Sequence, residues 1–329
     1  MSLDAAYYLI AAWLFVLGAT FGSFLNVVVY RVPLGMSLIE PGSHCPACKH
    51  PIRWYDNVPI LGWIVLCGRC RDCGSPIAMR YPLVEALTAA MFLVLGASEY
   101  LSSGANLPLR ATALPDAVIF PAWTFGEAGG IYAYHLLLLC TLLAAALIEL
   151  DRRRVPARLM APAWFVGLLA PLVWPRLHPV PAWKAVEGWL AAVAAAVFGP
   201  GDAAAGWAAS LAGLVDGLTG LAIGLGLGWL ASRAADSRHR VVWLMCPACV
   251  GLFLGWQAAG VVTIVVAAIC VLQAASSRLF PRMGRIGPAG WMTLATLAWV
   301  MEWSRLAVSC PLVAWIQLDC TIEWLYAVF

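Results

Sequence analysis

Long apolar segments separated by short polar loops dominate the chain, which is typical of a protein that crosses a membrane several times. The first segment runs from about Tyr7 to Tyr30 and ends at Arg31 and Pro33. Further apolar segments of spanning length are predicted near residues 83–100, 131–150, 159–174, 207–231 and 288–307. The pattern therefore predicts an all-α polytopic membrane protein.

The stretch from Val241 to Ala275 carries almost no charge and is too long for one span. It is predicted to form two short or tilted helices, because several residues can break it: Pro247, Gly251, Gly255 and Gly260. Counting this pair, the chain is predicted to have about eight transmembrane helices. The apolar tail from Cys310 to Phe329 is predicted to lie in the membrane interface or to span again.

Composition supports a membrane protein against the soluble domains that length alone would suggest. Hydrophobic residues make up 63% of the chain and charged residues 11%, and the mean hydropathy is +0.84. The net charge of +3 gives no electrostatic support for nucleic-acid binding. The expected environment is therefore the lipid bilayer. The first apolar segment lacks a basic region before it, so we expect a retained helix rather than a cleaved signal peptide.

Basic residues concentrate in the loops on one face of this predicted topology. They follow the first, third and fifth spans and the broken pair, and include Arg53, Arg71, Arg152, Arg238 and Arg282. The positive-inside rule makes that face cytoplasmic and places the N-terminus outside.

Two Cys-x-x-Cys pairs lie between the first and second spans. Their cysteines are Cys45, Cys48, Cys70 and Cys73, and two such knuckles place four thiolates where they suit tetrahedral Zn²⁺. The alternative is a set of unligated or disulfide-paired cysteines. Cys67 also forms a Cys-x-x-Cys with Cys70, but Gly74 follows Cys73 as a turn residue, so Cys67 is interpreted as a bystander. The predicted domains are a first helix at residues 1–31, a cytoplasmic zinc-binding ribbon at 32–82 and a multi-helix membrane domain at 83–329.

Several motifs in this region, with two landmarks further on, resemble the prepilin peptidase family of membrane aspartyl proteases. The early motifs are Gly22–Pro33, Cys45–Cys48, Asn57–Trp63, Gly68–Gly74 and Arg80–Glu85, and the later ones are Gly251–Gln257 and Ile286–Pro288. The resemblance implies a protein of the bacterial inner membrane that cleaves the leader peptide of type IV pilin or pseudopilin precursors. It also implies N-methylation of the new N-terminus, with S-adenosylmethionine as methyl donor, and a zinc-binding cytoplasmic region.

The family's peptidase chemistry uses two aspartates, and the first is present in altered form. Counting back from Pro156, the resemblance places this position on Glu149, whereas an alignment shifted by two residues places it on Asp151. Of the two, Asp151 is preferred because it is an unsubstituted aspartate. Two carboxyl groups that share a proton can activate water and protonate the leaving group. The competing interpretation is that both acids only pair with the arginines at 152–154.

The second aspartate, which belongs to a Gly-x-Gly-Asp motif, is not found. Trp243 stands at its position, and Arg240 and Val242 replace the glycines. Asp236 is the acid nearest to this place and is the candidate for a displaced second carboxylate. The competing interpretation of Asp236 is a solvated loop charge. Gly199–Asp202 has the motif's letters but is interpreted as a turn on the opposite face.

Two functions therefore stay open at the level of sequence. The first is a divergent prepilin peptidase with a relocated carboxylate, which would be an aspartic-type endopeptidase. The alternative is a catalytically inactive homologue that binds pilin precursors or serves in pilus or secretion assembly. Outside these motifs, Cys246 and Cys249 are interpreted as buried core cysteines, and the glycines of Gly220–Gly228 as helix-packing residues.

Overall fold

The computed structural model describes residues 3–108, 124–174, 177–178, 184–199, 201–279 and 286–309. Within these ranges the chain is mostly helical, and it has two isolated β-bridges but no strand. The predicted all-α fold class is therefore confirmed. The tail from Cys310 to Phe329 and Arg282 lie outside the described residues.

The chain divides into two compact units, Met1–Ala97 and Ser98–Phe329. The domain boundaries predicted from sequence, at residues 31 and 82, separate consecutive stretches of the chain and stay a prediction. In the structure, contacts place the first helix, the cysteine-containing insertion and most of the next helix in one unit.

In the first unit, α1 (Leu3–Leu34) packs along α3 (Arg80–Leu95), which continues as a π-helical turn over Gly96–Leu101. Two glycines of α1 allow the close approach. A Cβ on Gly18 would lie 2.7 Å from the Cβ of Phe92, and one on Gly22 would lie 2.6 Å from the Cα of Glu85. Larger residues at these two positions would push the helices apart.

The insertion between α1 and α3 contains a 3₁₀ turn at Trp54–Asp56 and the short helix α2 (Leu61–Val65). Buried polar side chains attach it to the two long helices. The Glu85 carboxylate accepts the backbone N–H of Ile60 at 2.7 Å, and Arg31 donates to two backbone carbonyls of the loop after α1. The insertion forms isolated bridges rather than the strands of a full ribbon.

The second unit is built from long helices that follow one another along the chain. They are α4 (Phe125–Leu150), α5 (Ala161–Val173), α6 (Lys184–Phe198), α7 (Asp202–Ala234), α8 (Arg240–Leu279) and α9 (Pro288–Ser309), with a 3₁₀ turn at Ala157–Met160 before α5.

Among the described residues of the whole chain, five helices are long and apolar enough to cross a membrane: Ala5–Leu34, Arg80–Leu101, Gly126–Leu150, Ala203–Ala234 and Arg240–Ser276. The structure therefore supports a multi-pass membrane protein and does not confirm the predicted count of about eight spans.

Helix α8 departs from helical geometry at a single residue, Gly255. Its φ of 85° and ψ of 170° lie in a region that only glycine adopts readily. The predicted break in this long apolar stretch therefore lies at one of the four residues named from sequence, and α8 consists of two helices that meet at Gly255, as predicted. A Cβ on Gly251 would lie 3.2 Å from the Cβ of Ala259, so the chain folds back on itself at this break.

Helices α7 and α8 approach through a row of small residues. A Cβ on Gly220 would overlap the backbone of Gly251, and a Cβ on Gly224 would overlap the backbone of Pro247. One turn further, a Cβ on Gly228 would overlap the carbonyl of Trp243. The glycines of α7 that are four residues apart therefore form the contact face, as the sequence predicted.

His135, in the first half of α4, forms a buried polar pair with Glu99. The Nδ1 atom of His135 is 2.6 Å from the Glu99 carboxylate, and both side chains are fully buried. The amide of Asn106 also donates to Glu99, at 3.4 Å, and to the carbonyl of Val300 at 2.8 Å. A charged group at this depth needs such partners.

We predict that Gly224→Leu destabilises the protein, whereas Gly226→Leu in the same helix has little effect. A Cβ on Gly224 meets backbone atoms, while one on Gly226 meets open space. We expect Gly224→Leu to cost about 1–3 kcal/mol or more, because backbone cannot move aside as a side chain can. Thermal unfolding of the two purified variants in detergent measures the difference. Equal unfolding temperatures would contradict the close contact between α7 and α8 at Gly224.

Candidate metal centre and active site

Each Cys-x-x-Cys pair of the first unit forms the same tight turn. In the first turn the N–H of Lys49 donates to the carbonyl of Cys45 at 2.9 Å, and in the second the N–H of Gly74 donates to the carbonyl of Cys70, also at 2.9 Å. Lys49 and Gly74 both have positive φ, at 62° and 68°. The two knuckles are therefore local repeats, and each directs two sulfur atoms to one side.

The two knuckles bring four sulfur atoms together. The Sγ atoms of Cys45 and Cys73 are 3.8 Å apart, those of Cys48 and Cys70 are 4.0 Å apart, and all four lie within 4.8 Å of one another. A tetrahedral site with Zn–S bonds of about 2.3 Å has sulfur–sulfur distances of about 3.8 Å. The donor set therefore fits a tetrahedral metal ion.

Backbone amides favour the thiolate form of Cys45, whereas burial and the other three sulfurs raise the pKa of Cys73 to about 12. The N–H groups of Cys48 and Ala47 lower the pKa of the Cys45 thiol to about 6. A thiolate is the form of cysteine that binds a metal. Beside the cluster, Arg71 donates two hydrogen bonds to Asp56, and these bonds hold the pKa of the Asp56 carboxyl below its ordinary value.

The remaining cysteines that the sequence singled out do not join this cluster. Cys67 is exposed and is not part of the four-sulfur group. Cys246 and Cys249 are buried in α8, where the Cys249 sulfur accepts the indole N–H of Trp164 at 2.9 Å. This environment agrees with the interpretation of Cys246 and Cys249 as core residues.

In the second unit, Glu149 near the C-terminal end of α4 occupies a buried polar site. One of its carboxylate oxygens accepts the backbone N–H of Ala289 at 2.7 Å. The other lies 2.6 Å from the Nδ1 atom of His239. The carboxylate of Glu149 is 4% exposed, whereas the imidazole of His239 is 29% exposed. The pair therefore has one buried member and one member that solvent can reach.

The start of α9 is shaped to receive this carboxylate. Pro288 is the first residue of the helix and has no N–H, so the N–H of Ala289 is the first that can donate. The helix N-terminus carries partial positive charge, which stabilises an anion there. A Cβ on Gly287 would lie 2.5 Å from a carboxylate oxygen of Glu149. Glycine at residue 287 therefore makes room for the acid.

The structure places the other two predicted acids differently. Asp151 is half-buried and ends α4, and its backbone N–H donates to Leu147 at 3.0 Å. Asp236 is exposed in the turn before α8, where its carbonyl accepts the N–H of His239 at 2.9 Å. The residue of this turn that contacts the Glu149 carboxylate is therefore His239, through its ring. The roles of Asp151 and Asp236 stay predictions.

Sequence reasoning missed His239. Its partner Glu149 is 90 residues away, and the short turn that contains His239 has the charged composition of an ordinary polar loop. One signal was available. His239 lies four residues before Trp243, which is one helical turn, and Trp243 stands where the family pattern has its second aspartate. In the structure Trp243 is 7% exposed, and its N–H donates to the carbonyl of His239 at 3.0 Å.

Comparisons with known proteins find similarity to prepilin peptidases. Residues 16–98 match the family described as Bacterial Peptidase A24 N-terminal domain. A prepilin leader peptidase/N-methyltransferase of Myxococcus xanthus is 57% identical over 84 residues, which are 26% of this chain and 25% of that protein. No solved structure matches.

Two further relatives extend the similarity beyond the first unit. A prepilin leader peptidase/N-methyltransferase of Klebsiella pneumoniae is 38% identical over 190 residues, covering 56% of this chain and 70% of that protein. A type 4 prepilin-like proteins leader peptide-processing enzyme of Escherichia coli O78:H11 is 35% identical over 191 residues, covering 53% and 60%. The chain thus spans less than two thirds of the Myxococcus xanthus and Escherichia coli proteins, but more than two thirds of the Klebsiella pneumoniae protein. On this last match, the chain belongs to the prepilin leader peptidase/N-methyltransferase family.

Proposed function

We propose that this protein is a membrane endopeptidase that removes the leader peptide from type IV pilin or pseudopilin precursors. The observation that carries the proposal is the buried Glu149 carboxylate, held by the N-terminus of α9 and by an imidazole. Glu149 is one of the two residues, with Asp151, that the family resemblance offers for the position of the first catalytic acid. Relatives that share more than half of this chain are named for the same activity.

The proposed place of action is the cytoplasmic face of the bacterial inner membrane. The basic loops after the first, third and fifth predicted spans support this orientation. Glu149 and His239 lie beside the second and third of these loops, so a precursor with a basic leader and an apolar helix would enter from the same face. Near Glu149, Arg238 adds positive charge.

The alternative is an inactive homologue that only binds precursors. The missing Gly-x-Gly-Asp motif favours it, because hydrolysis needs both a general acid and a general base. The names of the relatives do not favour it. The presence of an ionisable partner beside Glu149 supports the enzyme.

We expect the purified full-length protein to shorten a type IV prepilin of Myxococcus xanthus by its leader. Glu149→Gln keeps the size of the side chain but removes the charge, so we expect at least a 100-fold lower rate. Asp151→Asn tests the alternative first acid in parallel. Gel mobility and N-terminal sequencing of the product measure cleavage. Absence of product from the wild type, with precursor still bound, would support the inactive homologue instead.

We further propose that Cys45, Cys48, Cys70 and Cys73 hold a structural Zn²⁺. The tetrahedral separation of their sulfurs and the lowered pKa of Cys45 support this. A bound ion would supply folding energy that the insertion lacks, since the described part of the insertion has only isolated bridges and short helices.

We predict one zinc ion per chain in the wild type and its loss in Cys70→Ser. Cys67→Ser is the matched control, because Cys67 lies three residues away but outside the cluster. We expect this control to keep the metal and the wild-type unfolding temperature. Metal analysis of the purified proteins checks both. Zinc missing from the wild type, or lost in Cys67→Ser, would refute the assignment.

We also propose that the first unit binds S-adenosylmethionine for N-methylation. A cleft of about 330 Å³ in this unit supports the proposal, and its polar lining comes from Thr20, Ser23, Arg31, Ser43 and Asn57. Clefts of this size are typical of sites for small molecules. S-adenosylmethionine supplies the methyl group when bound.

Val27 lines this cleft on α1, whereas Val16 is exposed on the same helix. We predict that Val27→Trp fills the cleft and weakens binding of labelled S-adenosylmethionine at least tenfold. Val16→Trp should leave binding unchanged. Equilibrium dialysis of both variants measures this, and equal affinities would place the methyl donor elsewhere.

A further inference from the structure

We propose that His239 is the acid–base partner of Glu149 in peptide hydrolysis, in place of a second carboxyl group. This inference rests on the proposed peptidase function and names a second residue for the same site. It begins from the 2.6 Å contact between Nδ1 of His239 and the carboxylate of Glu149.

The hydrogen bonds of Glu149 define the proton positions at this pair. When Glu149 is ionised its carboxylate can only accept hydrogen bonds, so Nδ1 of His239 then carries the proton of the 2.6 Å contact. The second oxygen of Glu149 is occupied by the N–H of Ala289. In the neutral ring the lone pair then lies on Nε2, which is the nitrogen able to exchange a proton with a reacting group.

The exposures of the two side chains separate their roles. Glu149 is 4% exposed and is held on both oxygens, so it is placed to orient the ring and to stabilise its charged form. His239 is 29% exposed and can meet water and substrate. A buried carboxylate behind an accessible imidazole is an arrangement that enzymes use for general-base catalysis.

The position of His239 explains how the chain can lack the usual second aspartate. Trp243 occupies that position, is buried, and has its carbonyl against Gly228 of α7. His239 lies one turn earlier, and its carbonyl accepts the N–H of Trp243. An ionisable group is therefore present one turn before residue 243, just ahead of the start of α8, where it meets Glu149.

The proposed reaction balances with water as the only co-reactant. Nε2 of His239 takes a proton from water, and the water oxygen bonds to the carbonyl carbon of the scissile peptide. The imidazolium then gives this proton to the leaving nitrogen as the carbon–nitrogen bond breaks. Glu149 stays ionised throughout and holds the Nδ1 proton.

The test compares variants at residue 239 in the full-length protein with a type IV prepilin as substrate. His239→Asn keeps an N–H donor near Glu149 but cannot take up a proton. We expect His239→Asn and His239→Ala to lower kcat at least 100-fold with little change in KM. Added imidazole should restore part of the activity of His239→Ala, because the site is open to solvent. Ser237→Ala, in the same exposed turn, is the control and should keep the wild-type rate.

Each other outcome overturns the inference in a recognisable way. An active His239→Asn would mean that the ring only positions Glu149. Loss of activity in His239→Ala without any rescue by imidazole would exclude proton transfer by the ring. Loss in Asp236→Asn with full activity in His239→Ala would return the role to the displaced carboxylate. A wild type that cleaves no prepilin would remove the proposed function together with this inference, whereas the first three outcomes leave that function standing.

Discussion

The close contact between α7 and α8 is the constraint on which the candidate active site depends. In a lipid environment apolar side chains gain little by leaving lipid for protein, so helices associate where small residues let their backbones approach. Gly220, Gly224 and Gly228 provide that approach, and the last of them receives the backbone of Trp243. This contact fixes where α8 begins, and the turn that carries His239 comes immediately before it.

The same contact leaves little room for a catalytic side chain at residue 243. Trp243 is buried, and its backbone is part of the contact between α7 and α8. A side chain that must reach solvent therefore has more room one turn earlier. At that point the chain leaves the α7–α8 contact, and the ring of His239 reaches the end of α4. Trp243 in the first turn of α8 therefore packs against α7, whereas His239 just before the helix contacts Glu149.

In both units, carboxylates of helical residues accept hydrogen bonds from the backbone of another segment. Glu85 at the start of α3 accepts a backbone N–H of the insertion, and Glu149 at the end of α4 accepts the first N–H of α9. In each case a carboxylate satisfies a backbone donor that no helix partner could reach. The difference lies in the second oxygen of Glu149, which binds an ionisable ring and so adds chemistry to a structural contact.

Sequence predicted the parts of this protein that depend on local spacing. Hydropathy located long helices, and the spacing of Cys45, Cys48, Cys70 and Cys73 predicted their grouping, because each knuckle is a turn of a few residues. The number of spans was harder to predict, since an apolar segment can form a helix that is too short to cross the bilayer. For α8 the sequence offered four residues at which the chain could break, and the structure places the break at Gly255.

The pairing of Glu149 with His239 could not be predicted, because it depends on three helix ends meeting. The family pattern directs attention to a second acid, and in its absence Asp236 was the obvious candidate. Once the start of α9 is known, however, the length of the Glu149 side chain acquires a reason. Its extra methylene, relative to aspartate, lets one carboxylate reach past Gly287 to Ala289 and across to His239. A carboxylate one methylene shorter would lie further from both Ala289 and His239 unless a helix end moved, so the length of this acid is linked to the partners it binds.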